Sequence, residues 1–130
     1  MRISILALTC LLGGAAYAHE GKHDTATANT RAGTTLTGEV VDLTCYASHA
    51  GQGSKHAKCA LDCIKKGNPV AILSNDVLYA VISSDHESPN AKLASFAGKQ
   101  VVVTGEQSEK NGMHFVDLDK VEEAPASAKK

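Results

Sequence analysis

The strongest constraint on the fold is a hairpin signal near the end of the chain, Asn111-Gly112. It separates two segments rich in β-branched and apolar residues, 100–107 and 113–121. Asn-Gly favours the two-residue turns that join antiparallel strands, because both residues tolerate a positive φ. The pattern therefore predicts that these two segments are strands and that they pair as a hairpin.

Further segments earlier in the chain also have the composition of strands. They are residues 34–43, 70–73 and 78–83. Gly38 predicts a bulge or a bend within the first of them, and Asn75-Asp76 predicts a tight turn between the other two. A short helical segment at 90–96 precedes the final hairpin.

One amphipathic helix is predicted at 55–66, between the first two strands. Apolar residues recur there at intervals of three and four, which gives one stripe along the helix: Ala57, Ala60, Leu61 and Ile64. Ser54 is a suitable residue to cap its start, and Gly67 followed by Pro69 is a typical end.

The order strand, helix, strand, strand, short helix, strand, strand predicts a mainly β domain with an inserted helix. A small, partly open five-stranded barrel of the OB type fits this order. The alternative is an α+β architecture, a mixed sheet layered with the same helix. Residues 96–121, FAGKQVVVTGEQSEKNGMHFVDLDKV, resemble the closing half of small exported bacterial OB-fold-like domain proteins. The helix at 55–66 departs from that plan as an insertion.

The first residues predict a secretory signal peptide at 1–18. Arg2 precedes an apolar run, and Ala16-Tyr17-Ala18 has the small-x-small pattern of a cleavage site. The run is too short to span a bilayer. Cleavage after Ala18 predicts a periplasmic or secreted protein with no membrane attachment. It leaves a flexible arm, a single domain and a disordered tail, at 19–32, 33–123 and 124–130.

The expected cleavage changes the cysteine count, because one of the four cysteines, Cys10, lies in the signal peptide. The remaining three are Cys45, Cys59 and Cys63. They form an odd set in a compartment where unprotected thiols oxidise. At least one of them is therefore free, bound to a metal, or paired with another molecule.

The same cysteines share a short segment with His49 and His56. At about 100° per residue, Cys59 and Cys63 fall at about 300° and 340° from His56 around the predicted helix. All three side chains then lie beside the apolar stripe, where Cys45 can reach them from the first strand. Thiolates and imidazoles are ligands for Cu(I) and Zn(II). The segment predicts a metal site formed by Cys45, Cys59, Cys63 and either His56 or His49.

Two alternatives remain open for these cysteines. A disulfide from Cys45 to Cys63 or to Cys59 would staple the helix to the first strand. The domain would then be an OB-like interaction module that binds a protein, a peptide or a glycan. A thiol redox partner is the weaker alternative, because the spacing is Cys-x-x-x-Cys and Cys59 lies a full turn inside the predicted helix.

Two more histidines lie in the expected arm. His19 would begin the mature chain, and its α-amino group and imidazole would form a chelating pair for Cu(II). His23 can add another nitrogen. The arrangement resembles the amino-terminal histidine of exported copper proteins and predicts an accessory metal site.

Charge and motifs disfavour several function classes. A net charge of −1 lacks the basic excess that nucleic-acid binding needs. The spacing contains no Ser-His-Asp set, no close acid pair and no Gly-rich phosphate loop. The sequence therefore predicts a non-enzymatic, exported metal-binding protein that delivers or buffers copper, or zinc, and that works with another periplasmic protein.

Overall fold

The computed structural model describes residues 33–125. The expected signal peptide and the arm that contains His19 and His23 lie outside this range, as do residues 126–130. The structure therefore bears on the predicted domain and on the cluster at 45–63.

The described chain is built mainly from strands, with short helices between them. The strands are β1 (Thr34–Asp42), β2 (Val70–Ser74), β3 (Val77–Ile82), β4 (Gln100–Lys110) and β5 (Met113–Glu123). The helices are α1 (Leu43–His49), α2 (Ala57–Lys65) and α3 (Asn90–Leu93), which a 3₁₀ turn continues (Ala94–Phe96). Within residues 33–125, no helix has the length and apolar character needed to cross a membrane.

The strands close into a barrel in the order β1-β2-β3-β5-β4. Neighbouring strands are antiparallel except for β3 and β5, which pair in parallel. β1 closes the barrel because it pairs with β4 from Thr34 to Glu39 and with β2 from Glu39 to Asp42. The predicted five-stranded OB-like barrel with an inserted helix is confirmed, and the barrel is closed rather than partly open.

Gly38 lies just before the point where β1 changes partners. A Cβ atom there would stand 2.5 Å from the carbonyl oxygen of Leu73 on β2. The pairing register of β1 with β4 runs through Gly38 without a shift, so the glycine permits a close approach of two strands rather than a bulge. The register shift of the β4–β5 pair lies between Thr104 and Gly105.

Helix α2 packs on the barrel through the predicted apolar stripe. Ala60 and Ile64 are buried in the same cluster as the barrel interior, and Leu61 packs against it. Ile64 has no exposed surface, and burial of a side chain of this size stabilises a fold by about 1.5–3 kcal/mol. This contact fixes the helix that carries two of the candidate ligands.

The start of α2 differs from the prediction. The helix begins at Ala57, and its N-cap residue is His56, which makes no side-chain capping hydrogen bond. Residues 53–56 form a turn closed by a hydrogen bond of 2.9 Å from the His56 N–H to the Gly53 carbonyl. Ser54 is therefore not the cap, and Cys59 lies in the first turn of the helix rather than a full turn inside it.

Candidate metal centre

Cys45 lies on a short helix, α1, that sequence analysis did not predict. The buried side chain of Asp42 caps this helix, since its Oδ1 accepts a hydrogen bond of 2.6 Å from the Cys45 N–H. At the other end, Ala50 adopts a left-handed conformation, and its N–H donates to the carbonyl of Tyr46 at 2.8 Å. The cap at Asp42 was the one sequence signal for α1.

Each of the two helices presents a pair of ligands spaced one turn apart. Cys45 and His49 are four residues apart on α1, and Cys59 and Cys63 are four apart on α2. Side chains with this spacing lie on the same face of a helix. A fifth candidate ligand, His56, lies in the segment that connects the two helices.

The donor atoms of these residues form two groups. The Sγ atoms of Cys45, Cys59 and Cys63 all lie within 4.8 Å of one another. The Sγ of Cys45 and one ring nitrogen each of His49 and His56 also lie within 4.8 Å of one another. Cys45 belongs to both groups. The structure therefore brings together every residue of the metal site predicted between 45 and 63.

The cysteines are free thiols in this structure. The Sγ atoms of Cys45 and Cys63 are 3.9 Å apart, nearly twice the S–S bond length of about 2.05 Å. Cys59 is also unbonded. The expected alternative, a disulfide from Cys45 to Cys63 or Cys59, is therefore not formed here. The first strand and the helix are held together by packing in the shared core instead.

The ligands differ in their access to solvent. Cys45 is the innermost, with 8% of its surface exposed. Cys63 and His56 are half-buried, and Cys59 and His49 are exposed. The cluster is therefore open on two sides, past Cys59 and past His49, while the residue common to both groups is shielded.

His56 holds a buried nitrogen that has no hydrogen-bond partner, its Nε2. Gly51 makes room for the ring, since a Cβ atom at Gly51 would stand 2.6 Å from that nitrogen. The ring packs edge-on against His49 with a centroid distance of 5.2 Å. A buried polar atom without a partner costs about 1–3 kcal/mol, so the fold pays to keep this imidazole beside Cys45, within reach of a shared ligand.

The ring of His49 is oriented by the preceding residue. The hydroxyl of Ser48 donates to the carbonyl of Thr44 at 2.8 Å, and its oxygen lies 3.0 Å from Nδ1 of His49. A hydroxyl that donates its proton to a carbonyl can accept one from Nδ1–H. That arrangement leaves Nε2 of His49 as the nitrogen with a free lone pair, the form in which imidazole binds metals.

The surroundings of Cys45 favour the neutral thiol in the metal-free protein. The side chain of Asp42 as hydrogen-bond acceptor, burial, and the Cys63 thiol raise the pKa of Cys45 to about 12. The Oδ2 atom of Asp42 is buried without a hydrogen-bond partner. A bound cation would replace the thiol proton and place positive charge beside this carboxylate.

Three hydrogen bonds hold the rest of the insertion in place. The N–H of Gly53 donates to the carboxylate of Glu39 on β1. The side-chain amide of Asn90 donates to the carbonyls of Ile64 and Asn68, each at 2.8 Å. The segment that carries the ligands is therefore attached to β1 before α2 and to α3 at the end of α2.

The arrangement of thiols and imidazoles is one that binds soft or borderline cations. Its donors lie on two short helices and on the turn between them, all held by the barrel, so they are positioned before an ion arrives. Comparison with protein-family models, with curated proteins and with solved structures finds no match to this chain.

Proposed function

We propose that this chain is an exported protein that binds copper through the cluster around Cys45 and delivers or buffers it. The observation that supports this proposal is that two further thiols and two imidazoles lie around one buried cysteine, Cys45. Thiolates favour Cu(I), and imidazole is compatible with both copper and zinc. Copper is the preferred ion because thiolates are the majority of the donors, and zinc is the second choice.

Transport or buffering fits the exposure of the ligands better than catalysis does. A carrier has to release its ion to another protein, and ligand exchange needs donors that the recipient can reach. Cys59 and His49 are both exposed, so an incoming thiol or imidazole has access to an ion held there. We infer that the recipient is another periplasmic protein.

The location in the proposal comes from the amino-terminal sequence. The apolar run and the Ala16-Tyr17-Ala18 pattern predict export. Cleavage after Ala18 would expose His19 as the amino-terminal residue, with His23 close to it in sequence. These two histidines are the proposed accessory site.

The test is a thiol count and a metal titration on the mature protein, purified without oxygen. We expect three free thiols when they are counted in denaturant, and tight binding of Cu(I) by the folded protein in competition with a chromogenic chelator. Cys45→Ser should abolish this binding, while His86→Asn should not change it, because His86 is an exposed residue of a turn outside both donor groups. One free thiol together with no affinity for Cu(I) or Zn(II) would refute the proposal.

A second candidate function is thiol exchange with a redox partner. The Sγ contact of 3.9 Å between Cys45 and Cys63 favours it, as does the position of Cys59 in the first turn of α2, where the helix dipole favours negative charge. In that case oxidised glutathione should convert the Cys45–Cys63 pair to a disulfide rapidly, and the reduced protein should bind Cu(I) weakly. Slow exchange and tight Cu(I) binding would reject this candidate.

A third candidate is an interaction module that uses the barrel face. An apolar depression lies there between the start of α1 and the β4–β5 turn, and its lining includes Leu43, Leu78 and Met113. Met113 is 54% exposed. Met113→Lys should weaken binding of a peptide or protein to this face without changing Cu(I) affinity, and an unchanged partner affinity would reject this candidate.

A further inference from the structure

We propose that the cluster holds two Cu(I) ions and that the Cys45 thiolate bridges them. This inference rests on the proposed function, because it concerns how many ions the same cluster binds. One ion would lie among Cys45, Cys59 and Cys63, and the other among Cys45, His49 and His56.

The donor atoms of the cluster fall into two groups. Each of the two groups contains three donor atoms within 4.8 Å of one another, and the only residue common to both is Cys45. With a metal–sulfur bond of about 2.3 Å, two donors of one ion lie at most about 4.6 Å apart. Each group therefore needs only a small contraction to surround its own ion. A single four-coordinate ion would leave one of the five donors unused.

The histidine group has the features of a site in its own right. The buried Nε2 of His56 has no hydrogen-bond partner, although buried nitrogens are normally paired. Gly51 leaves space for this ring, and Ser48 orients the ring of His49. An ion held by the three cysteines alone would explain none of these features.

Charge supports the same stoichiometry. Metal-bound cysteines are thiolates, so the three cysteines carry more negative charge than one Cu(I) ion offsets. Cys45 is the buried one of the three. Because uncompensated charge is costly where it is buried, a second monovalent cation on Cys45 stabilises the cluster. A thiolate sulfur has enough lone pairs to bind both ions, and Cys45 lies between the two groups.

The two ions would have separate routes to solvent. The all-cysteine group is exposed through Cys59, and the histidine group is exposed through His49. The softer group retains Cu(I) more firmly, because thiolates outrank imidazoles as ligands for this ion. The ion of the histidine group is therefore the first to be transferred to a recipient.

The experiment is an anaerobic Cu(I) titration of the mature protein, which lacks Cys10, followed by native mass spectrometry. Wild type and all variants are compared in a background in which His19 and His23 are alanine, so that the accessory residues do not contribute. We expect two ions per chain in the parent protein. Both His49→Ala/His56→Ala and Cys59→Ser/Cys63→Ser should bind one, and Cys45→Ser should bind neither tightly.

Two controls separate ligand loss from loss of fold. Gly51→Ala keeps every ligand but displaces the His56 ring, and it should also reduce the stoichiometry to one ion. His86→Asn should still bind two. X-ray absorption of the doubly loaded protein should show a copper–copper shell at no more than about 4.6 Å, twice the metal–thiolate bond length.

Failure of the two-ion site and failure of copper binding give different results. Saturation at one ion in the parent protein overturns the two-ion site but leaves copper binding intact. Two ions retained in His49→Ala/His56→Ala also overturn it, because the second ion would then lie elsewhere. Binding of no Cu(I) at any ratio refutes the proposed function itself.

Discussion

The barrel wall and the surroundings of Cys45 differ in whether their buried polar atoms have hydrogen-bond partners. In the barrel wall, the buried Ser74 donates a hydrogen bond of 2.6 Å to the carbonyl of Thr37. In the part of the chain that the structure describes, the buried side-chain oxygen and nitrogen atoms without partners are Asp42 Oδ2 and His56 Nε2. Asp42 lies where β1 meets the insertion, and both residues surround Cys45. The buried Ser74 of the barrel wall is paired by folding, whereas two polar atoms beside Cys45, one at the end of β1 and one in the insertion, remain available to a ligand.

The two regions nevertheless pack as one domain. α2 shares the barrel core through Ile64, and Asn90 holds the end of the helix by its hydrogen bonds. Packing of the barrel core therefore offsets the free-energy cost of the unpaired buried atoms near Cys45. This division of roles can be tested by changing one region at a time.

The largest expected effect is that of Ile64→Ala, which separates the insertion from the barrel core. Removal of a fully buried side chain of this size costs about 2–5 kcal/mol, a large part of the stability of a small domain. The free energy of unfolding in urea measures it. Lys65→Ala, at the exposed neighbouring position, should change it by less than about 0.5 kcal/mol. Equal effects of the two variants would show that α2 does not depend on the core.

Substitution of the innermost ligand should affect metal binding more than substitution of the outermost one. Cys45→Ser removes the residue common to both donor groups, and we expect Cu(I) affinity to fall by more than about 100-fold, beyond the range for outer-shell residues. Cys59→Ser leaves the histidine group complete and should cost less. Chelator competition measures both affinities. A larger loss for Cys59→Ser would contradict the central position of Cys45.

Two glycine substitutions form a matched pair across the two regions. At Gly38 the new Cβ meets backbone of β2, which cannot move aside, whereas at Gly51 it meets the ring of His56. Gly38→Ala should lower the free energy of unfolding by about 1–3 kcal/mol and leave Cu(I) affinity unchanged. Gly51→Ala should lower Cu(I) affinity by about 10–100-fold with a smaller effect on unfolding.

Thermal unfolding and chelator competition on both glycine variants complete this test. If Gly51→Ala destabilises the fold as much as Gly38→Ala and binds copper normally, then Gly51 belongs to the packing of the domain and not to the site. The barrel and the region around Cys45 would then not differ in the role of their glycines.

The sequence predicted those parts of the fold that depend on local pattern. The Asn111-Gly112 turn and the stripe that contains Ile64 are local signals, and both gave the correct elements. The parallel pairing of β3 with β5 depends on residues far apart in sequence, so no local pattern indicated it. α1 was missed because Leu43-Thr44-Cys45-Tyr46 continues the β-rich composition of β1, and only Asp42 marked a helix start.

The candidate site was predicted in its membership but not in its arrangement. Spacing on the helix correctly grouped Cys59 with Cys63, which are one turn apart. The division into two groups depends on α1 and on the turn at 53–56, which turns His56 towards His49. The role of Gly51 is visible only in three dimensions, because a glycine in a polar loop has no distinctive pattern.

The smallest expected effect is that of Ser48→Ala, which changes the orientation of a ligand without removing one. Ser48 contacts Nδ1 of His49 at 3.0 Å, and loss of this contact lets the ring rotate and change tautomer. Outer-shell partners of metal-bound histidines contribute about 10–100-fold in affinity. Because His49 is exposed, we expect a loss near the lower end, about 10-fold.

Chelator competition resolves a change of this size, and Ser83→Ala is the matched control. Ser83 also uses its hydroxyl in a side-chain hydrogen bond, to Asp85 at 2.6 Å, but Ser83 lies outside both donor groups. The control should leave Cu(I) affinity unchanged. If Ser48→Ala also leaves it unchanged while His49→Ala lowers it, then His49 binds copper without help from its neighbour. In that case the fold orients only the imidazole of His56 before the metal binds, through the space that Gly51 leaves for its ring.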